Sequence, residues 1–284
     1  MRTLAALVFW ILTTVALAVA IPATWVQHNV VDQDGYSALA TSAAKDPAVQ
    51  QAMAAALTSE VTRLSTSAGY SSGEINETLL SGAARAYTGS AAFPGQFALA
   101  NQVAHRWLFT DSVQRSDASG RWEVDLSPML ADSSFQQTLA DFGIKPPETL
   151  EIPLTQNISD SLRPGKYRDV AKWGPWASVG IAVLAGVFAL LTLASAKRRG
   201  KALGALGVSA LIVGAAGWAG IEVGRRYVNR ALGATTDDVR NVAAAMVDHA
   251  IGSLHLWLNL TLAAGAAVVL LGVFTSMVGG LRRT

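Results

Sequence analysis

Two short motifs in this sequence contain residue types that can bind a cation or attack a carbonyl group. The first is Asp32-x-Asp34-Gly35, whose carboxylates and glycine are typical of calcium loops. If Gly35 took the sixth position of an EF-hand loop, Val30 would be first and Thr41 last, so the acidic ligands at both ends are missing. We interpret the two aspartates as the end of an apolar segment and the N-cap of the next helix. A partial cation site or a carboxylate pair is the alternative.

The second motif is Gly69-x-Ser71-x-Gly73, which matches the nucleophile pattern of serine hydrolases. That pattern requires a strand before the serine and a helix after it, within a large α/β sheet. A helical pattern precedes it here, so we interpret the motif as a connector rich in Gly and Ser.

The histidines are His28, His105, His249 and His255, and none belongs to an H-E-x-x-H motif or to a close pair. Asn101 precedes His105 by one helical turn, which favours a hydrogen-bonded pair inside a helical domain; a zinc site built from separated His and Asp residues is the alternative. The chain has no cysteine, which excludes disulfides and thiolate nucleophiles. We therefore expect no cofactor, no metal and no enzymatic activity.

Apolar segments dominate the elements that must position these residues. The chain has 284 residues, of which only 15% are charged, against about 25% in a typical soluble domain. A membrane-spanning helix needs about 20 apolar residues. Four uncharged stretches reach that length: Leu4 to Val26, Trp173 to Ala196, Ala202 to Ile221 and Leu256 to Gly280. The sequence therefore predicts four transmembrane helices.

The first stretch also has features of a signal peptide, because Arg2 precedes it and Ala18-Val19-Ala20 fits a cleavage site. The apolar run continues beyond that site and includes Trp25, a residue type common at membrane interfaces. We favour an uncleaved helix.

The distribution of Lys and Arg predicts the orientation of the spans. Both termini and the loop 197–201 together carry seven basic residues and no acidic ones, so we place them in the cytoplasm. Segment 28–172 has 11 basic and 16 acidic residues, and it is predicted outside with segment 225–255. Anionic lipid head groups are sufficient partners for the basic rim, so the charge gives no argument for nucleic acid.

The predicted fold is an α-helical membrane protein with a mostly helical α+β extracytoplasmic domain. Its segments are helix 1 (1–27), the extracytoplasmic domain (28–172), helices 2 and 3 (173–224), an extracytoplasmic helical segment (225–255), and helix 4 with the cytoplasmic tail (256–284).

Helix signals are clear in the outer segments. Asp46-Pro47 combines an N-cap with a proline at the first helical position, and further helices are predicted from about Ser72 and Phe93. A helix that begins at Asp237 should run unbroken into the fourth span and bury an apolar stripe. Alternating polar and apolar residues predict strands over 121–126 and 150–154, with a helix over 134–142 between them.

A possible contact cluster lies at the outer rim of the spans. Glu222 at the end of helix 3 can pair with Arg225 and Arg226, at i+3 and i+4. On helix 4, His255 and Asn259 reach the same level one turn apart. We expect a local ion pair and an interhelical amide hydrogen bond; a contact site for a lipid head group or a partner is the alternative.

Small residues that recur every fourth position allow membrane helices to pack closely. They form three stripes: Ser178, Ala182 and Gly186; Ala216, Gly220 and Gly224; and Gly272, Ser276 and Gly280. We expect packing within the chain, with packing against another membrane protein as the alternative.

Several motifs occur in a characteristic order along most of the chain. They are Trp25 with Val31-Asp32-x-Asp34-x-Tyr36, Asp46-Pro47-Ala48-Val49-Gln50, Phe97-x-x-Ala100-Asn101-x-x-Ala104-His105 and Trp122-x-Val124-Asp125-Leu126-x-Pro128. With these motifs the chain resembles an actinobacterial family of four-pass integral membrane proteins of uncharacterised function. The resemblance implies the topology and the domain layout, and it implies no activity.

These observations predict a non-catalytic plasma-membrane protein that serves as an accessory, assembly or scaffold component of a larger envelope complex. It would contact another membrane protein or complex through its outer domain. Transporters usually have buried ionisable groups or interrupted spans, and the sequence shows neither. A ligand sensor or an ABC-type permease-like mechanotransmitter is the alternative, although the five-residue loop 197–201 leaves no room for a coupling helix.

Overall fold

The computed structural model describes residues 2–67, 77–110, 123–125, 133, 136–137, 151–153, 165–233 and 235–281. Its helices are α1 (Arg2–Val26), α2 (Gln33–Ala43), α3 (Pro47–Ser67), α4 (Glu77–Thr88), α5 (Phe93–Phe109), α6 (Arg168–Ser195), α7 (Arg199–Leu232) and α8 (Asp237–Leu281). The strands are β1 (Glu123–Asp125) and β2 (Glu151–Pro153), and a π-helical turn, Gln27–Val31, follows α1.

Four of these helices are long and apolar enough to cross a membrane, which confirms the predicted number of spans. The candidate spans are Arg2–Val31, Arg168–Ser195, Arg199–Leu232 and Asp237–Val278. The chain is therefore a multi-pass membrane protein.

The chain divides into two compact units. The membrane unit consists of Met1–Val30, Lys172–Arg226 and Ile251–Thr284. The inter-span unit consists of Val31–Ala171 and Tyr227–Ala250.

Glycines bring α7 and α8 into close contact within the membrane unit. A Cβ atom added to Gly207 would lie 2.6 Å from the backbone nitrogen of Val269 and 2.7 Å from the carbonyl oxygen of Gly265. Helix α1 joins the same bundle, because the Trp10 indole N–H donates to the carbonyl oxygen of Ala205 at 2.8 Å. Backbone approach and interhelical hydrogen bonds stabilise helix pairs in lipid, where burial of apolar surface contributes little.

The three predicted stripes of small residues have different surroundings. On α8, Gly272 is buried against Gly204 of α7, so the prediction of internal packing is confirmed there. On α7, Gly220 and Gly224 are exposed, and a Cβ at either would meet no atom of a neighbouring described segment within 4 Å. Gly186 on α6 is exposed in the same way. Among the described residues, internal packing is therefore not seen at Gly186, Gly220 or Gly224.

A core of small and aromatic side chains holds the inter-span unit together. Its buried members are Ala40, Ala43, Ala44, Val49, Phe93, Phe97 and Ala98. Val242 and Met246, on the first part of α8, pack against this core. The expected covering of the stripe Val239, Val242 and Met246 is therefore confirmed at the last two positions, which are partly buried. Helix α8 continues without a break past His255.

Strands β1 and β2 lie within the predicted strand segments and pair antiparallel, with Val124 opposite Ile152. Each strand has only three residues, and almost all other described residues of the unit are helical. The α+β description is therefore not supported, because a single short ribbon does not form a sheet layer. Most of the predicted helix over 134–142 lies outside the described residues.

Candidate functional site

The Asp32–Gly35 motif forms a helix cap, as predicted. The Asp32 carboxylate accepts a hydrogen bond from the backbone N–H of Gly35 at 2.9 Å, and α2 begins at Gln33. This bond satisfies one of the backbone donors that a helix leaves unpaired at its N-terminus. The Gly69–Gly73 motif lies outside the described residues.

Asn101 and His105 belong to a packed polar and aromatic cluster of the inter-span unit. The Tyr36 hydroxyl donates to the side-chain oxygen of Asn101 at 3.0 Å. The His105 ring lies between those of Tyr36 and Phe109, with centroid distances of 4.9 and 4.4 Å, and His105 is only 5% exposed. Burial raises the pKa of Tyr36 to about 12, so its hydroxyl remains a donor at neutral pH. Asn101 is hydrogen-bonded to Tyr36, and His105 contacts the same tyrosine through its ring, so Tyr36 links the two residues that were expected to pair directly.

The structure brings Glu222 and Arg226 of the predicted outer-rim cluster together. The guanidinium of Arg226 lies 3.6 Å from the Glu222 carboxylate, and both side chains are more than half exposed. Arg225 and Asn259 are also exposed. His255 stacks on the indole of Trp218, a contact that the sequence did not predict.

A hydrogen-bonded relay that no sequence motif predicted joins Ser42, His249 and Asp46 in the inter-span unit. Ser42 Oγ lies 3.1 Å from His249 Nε2, and His249 Nδ1 lies 3.1 Å from Asp46 Oδ2. This is the connectivity of a nucleophile, a general base and an orienting carboxylate. We call the three residues Ser42, His249 and Asp46 the serine relay.

The core of the unit fixes the backbone on both sides of the relay. Ser42 precedes Ala43, which is completely buried, at the end of α2. Asp46 precedes α3 and is followed closely by Val49, which is also completely buried. His249 lies one turn after Met246, which packs on the same core. The relay therefore sits at the edge of the core.

Hydrogen bonds keep the Asp46 carboxylate ionised. Its Oδ1 accepts from the backbone N–H of Ala48 at 2.9 Å, and its Oδ2 faces the His249 ring. The bond from Ala48 and then the bond from His249 lower the pKa of Asp46 below its usual value. An ionised carboxylate can only accept, so His249 Nδ1 carries the proton that it donates to Asp46. In the neutral imidazole, Nε2 then presents its lone pair to the Ser42 hydroxyl.

Sequence spacing gave little sign of this relay. Asp46 was recognised only as a helix cap, and His249 follows it by 203 positions. Ser42 lies one helical turn before Asp46, but such a pair is common at helix ends. Only the packing of α8 against the α2–α3 corner brings the imidazole to both side chains.

A polar groove lies between α3 and α4 in the same unit. Its walls carry hydroxyl groups, an acid and a base: Thr58, Ser59, Thr62, Ser81, Glu77 and Arg85 are among the lining residues. A groove of this composition offers both donors and acceptors to a polar ligand.

Comparisons of the chain with protein-family models, with curated proteins and with solved structures found no significant match.

Proposed function

We propose that this chain is a non-catalytic accessory, assembly or scaffold component of a larger complex in the plasma membrane. Both termini would be cytoplasmic, and the inter-span unit would lie outside and contact the partner. The motif series described above is the basis for placing the chain with the actinobacterial four-pass membrane proteins that it resembles.

The exposed glycine stripe of α7 carries this proposal. Gly220 and Gly224 lie on a candidate membrane span and face away from the described helices of their own chain. A stripe of this kind allows another helix to approach the backbone of α7 closely. By contrast, Gly207 on the same helix is already in contact with α8. The chain therefore has one glycine surface for its own bundle and a second that another membrane helix can occupy.

A matched pair of substitutions tests this proposal. Gly220→Leu should leave the purified chain folded and remove the partner that co-purifies from native membranes in mild detergent, measured by quantitative mass spectrometry. Gly207→Leu should destabilise the chain itself. If the wild-type chain purifies as a monodisperse species without a stoichiometric partner, the proposal is wrong.

Site-specific crosslinking tests the role of the inter-span unit. A photoreactive amino acid at the exposed position Gln51, on α3, should crosslink to the same partner that Gly220→Leu loses. Crosslinking only from positions within the spans would show that the inter-span unit makes no contact with the partner.

The groove between α3 and α4 favours a ligand sensor as a second candidate function. Thermal-shift measurements with panels of amino acids and sugars should then identify a stabilising compound. Ser81→Trp would fill the groove and should abolish that shift without lowering the melting temperature of the ligand-free protein. Stabilisation that persists in Ser81→Trp would place the ligand elsewhere.

A further inference from the structure

We propose that Ser42 is an activated nucleophile that accepts an acyl group from an activated ester, with His249 as its general base and Asp46 as the residue that orients the imidazole. This modification site goes beyond the accessory role proposed above and does not depend on it.

The direction of the two hydrogen bonds supports this assignment. Asp46 fixes the tautomer in which Nδ1 is protonated, so Nε2 accepts the hydrogen bond of the Ser42 hydroxyl at 3.1 Å. This distance is within the reach required for proton transfer to a general base. A serine bonded to the protonated nitrogen of the other tautomer would gain no nucleophilicity.

Access and rigidity both favour a reaction at this serine. Ser42 is exposed, whereas the side chains of His249 and Asp46 are only 25% and 34% exposed. An acyl donor can therefore reach the hydroxyl, while the base and its carboxylate are held by packed helices. Fixed orientation of the base lowers the entropic barrier to reaction.

The reaction can be written with all bonds and protons accounted for. Ser42 Oγ attacks the carbonyl carbon of the ester while His249 Nε2 takes the hydroxyl proton. The bond between that carbon and the leaving oxygen then breaks, and the imidazolium gives its proton to the departing alkoxide. The products are an ester of Ser42 and a free alcohol, and His249 is neutral again.

The backbone N–H groups that follow Ser42 assist neither acylation nor hydrolysis. The N–H groups of Ala44, Lys45 and Asp46 donate to the carbonyl oxygens of Ala40, Ser42 and Ala43. These N–H groups are therefore engaged and do not form an oxyanion hole. In enzymes that have one, loss of a single donor slows acyl transfer by about 10² to 10³-fold. The activated leaving group of the donor drives acylation, whereas the ordinary ester formed on Ser42 has no such leaving group. We expect the acylated serine to persist.

Labelling of the full-length protein in detergent with a fluorophosphonate tests the nucleophile. The probe loses fluoride when a serine oxygen attacks its phosphorus. Peptide mapping should locate the adduct at Ser42, and Ser42→Ala should abolish it. His249→Gln and Asp46→Asn should each slow labelling roughly 10²-fold, at the lower end of the contribution of a positioned base. Ser59→Ala removes another exposed serine and should not change the rate.

Asp46→Asn is the most informative of these variants. An asparagine can still cap α3, but its amide group can donate to His249 Nδ1 and so place the imidazole proton on Nε2. Melting temperatures measured beside the rates separate loss of the base from loss of structure. An unchanged labelling rate in a folded Asp46→Asn variant would overturn the orienting role.

p-Nitrophenyl acetate distinguishes acceptance from turnover. We expect one equivalent of p-nitrophenolate for each chain and an acetyl group on Ser42 in the intact mass spectrum. Many equivalents of product would overturn the acceptor role. If Ser42 reacts no faster than Ser59 with the fluorophosphonate, the hydrogen bonds of the relay are purely structural and the proposal is wrong.

Discussion

The imidazole of His255 stacks on the indole of Trp218, with ring centroids 3.8 Å apart and an angle of 12° between the planes. The two residues lie on α8 and α7, at the end of the membrane unit where Glu222 and Arg226 form their ion pair. His255 therefore joins two spans through an aromatic contact. Asn259, one turn further along α8, is its neighbour in the predicted cluster.

A double-mutant cycle should detect this stacking. Trp218→Ala and His255→Ala should each lower the free energy of unfolding, with a coupling of about 1 kcal/mol, as measured for aromatic pairs. Titration of the purified protein with SDS in mixed micelles gives the unfolding free energies. Trp176→Ala is the control, because that indole is 77% exposed. Additive effects of the two alanines would contradict a stabilising contact.

The glycines of α7 should respond differently to the same small substitution. Gly207→Ala should destabilise the bundle by about 1 to 3 kcal/mol, because the new methyl group would overlap Val269 and the helices must separate. Gly220→Ala should be neutral in the isolated chain, since its Cβ meets no atom within 4 Å among the described residues. The same SDS titration measures both variants. Equal effects would show that the contact between α7 and α8 is looser than described.

The sequence predicted the spans and the major helix starts because those signals are local. Uncharged runs of about 20 residues identify membrane helices, and Asp46-Pro47 marks the start of α3 through cap chemistry that involves only neighbouring residues. The choice of which glycine faces which helix depends on the rotation of each helix in the bundle. Identical spacing therefore predicted internal packing for Gly220 and Gly272 alike, although within the described part of the chain only Gly272 is covered.

The candidate site was less predictable, because it too depends on how the helices pack. The motifs Asp32–Gly35 and Gly69–Gly73 stand out in the sequence because their residues are adjacent. The serine relay instead combines the end of α2, the cap of α3 and a histidine of α8. Its formation depends on tertiary packing, and no spacing rule for a continuous motif contains that information.

The ion pair between Glu222 and Arg226 should contribute little to stability. Glu222 and Arg226 are 64% and 72% exposed, and exposed pairs of this kind contribute a few tenths of a kcal/mol. Glu222→Gln should therefore change the melting temperature only slightly and leave recovery of the partner unchanged. Loss of a co-purifying lipid or protein at unchanged stability would instead identify this rim as a contact site.

Cysteine labelling in intact cells should establish the orientation of the spans. The chain contains no cysteine, so each introduced thiol is unique. With the basic loop 197–201 in the cytoplasm, Ser59→Cys should react with a membrane-impermeant maleimide and Lys197→Cys should react only after permeabilisation. Labelling of both positions from the same side would refute the four-span topology, and the reverse pattern would invert it.

Asp46 should make the stability of the inter-span unit depend on pH. Its pKa in the folded protein is lowered, first by the backbone hydrogen bond from Ala48 and then by His249. A carboxylate whose pKa is lowered by folding stabilises the protein at pH values above its unfolded-state pKa. This contribution is lost as the pH falls through the folded-state pKa. The wild-type protein should therefore be more stable than Asp46→Asn at neutral pH, and the difference should diminish in acid, below the ordinary range of aspartate. Asparagine preserves the cap of α3, so the comparison removes the charge and alters the bond to His249 but keeps the cap. Melting temperatures of both proteins from neutral pH down to about pH 2, below the usual aspartate pKa of about 3.9, provide the measurement. A constant difference across this range would show that Asp46 contributes through its shape and hydrogen bonds and not through its ionisation.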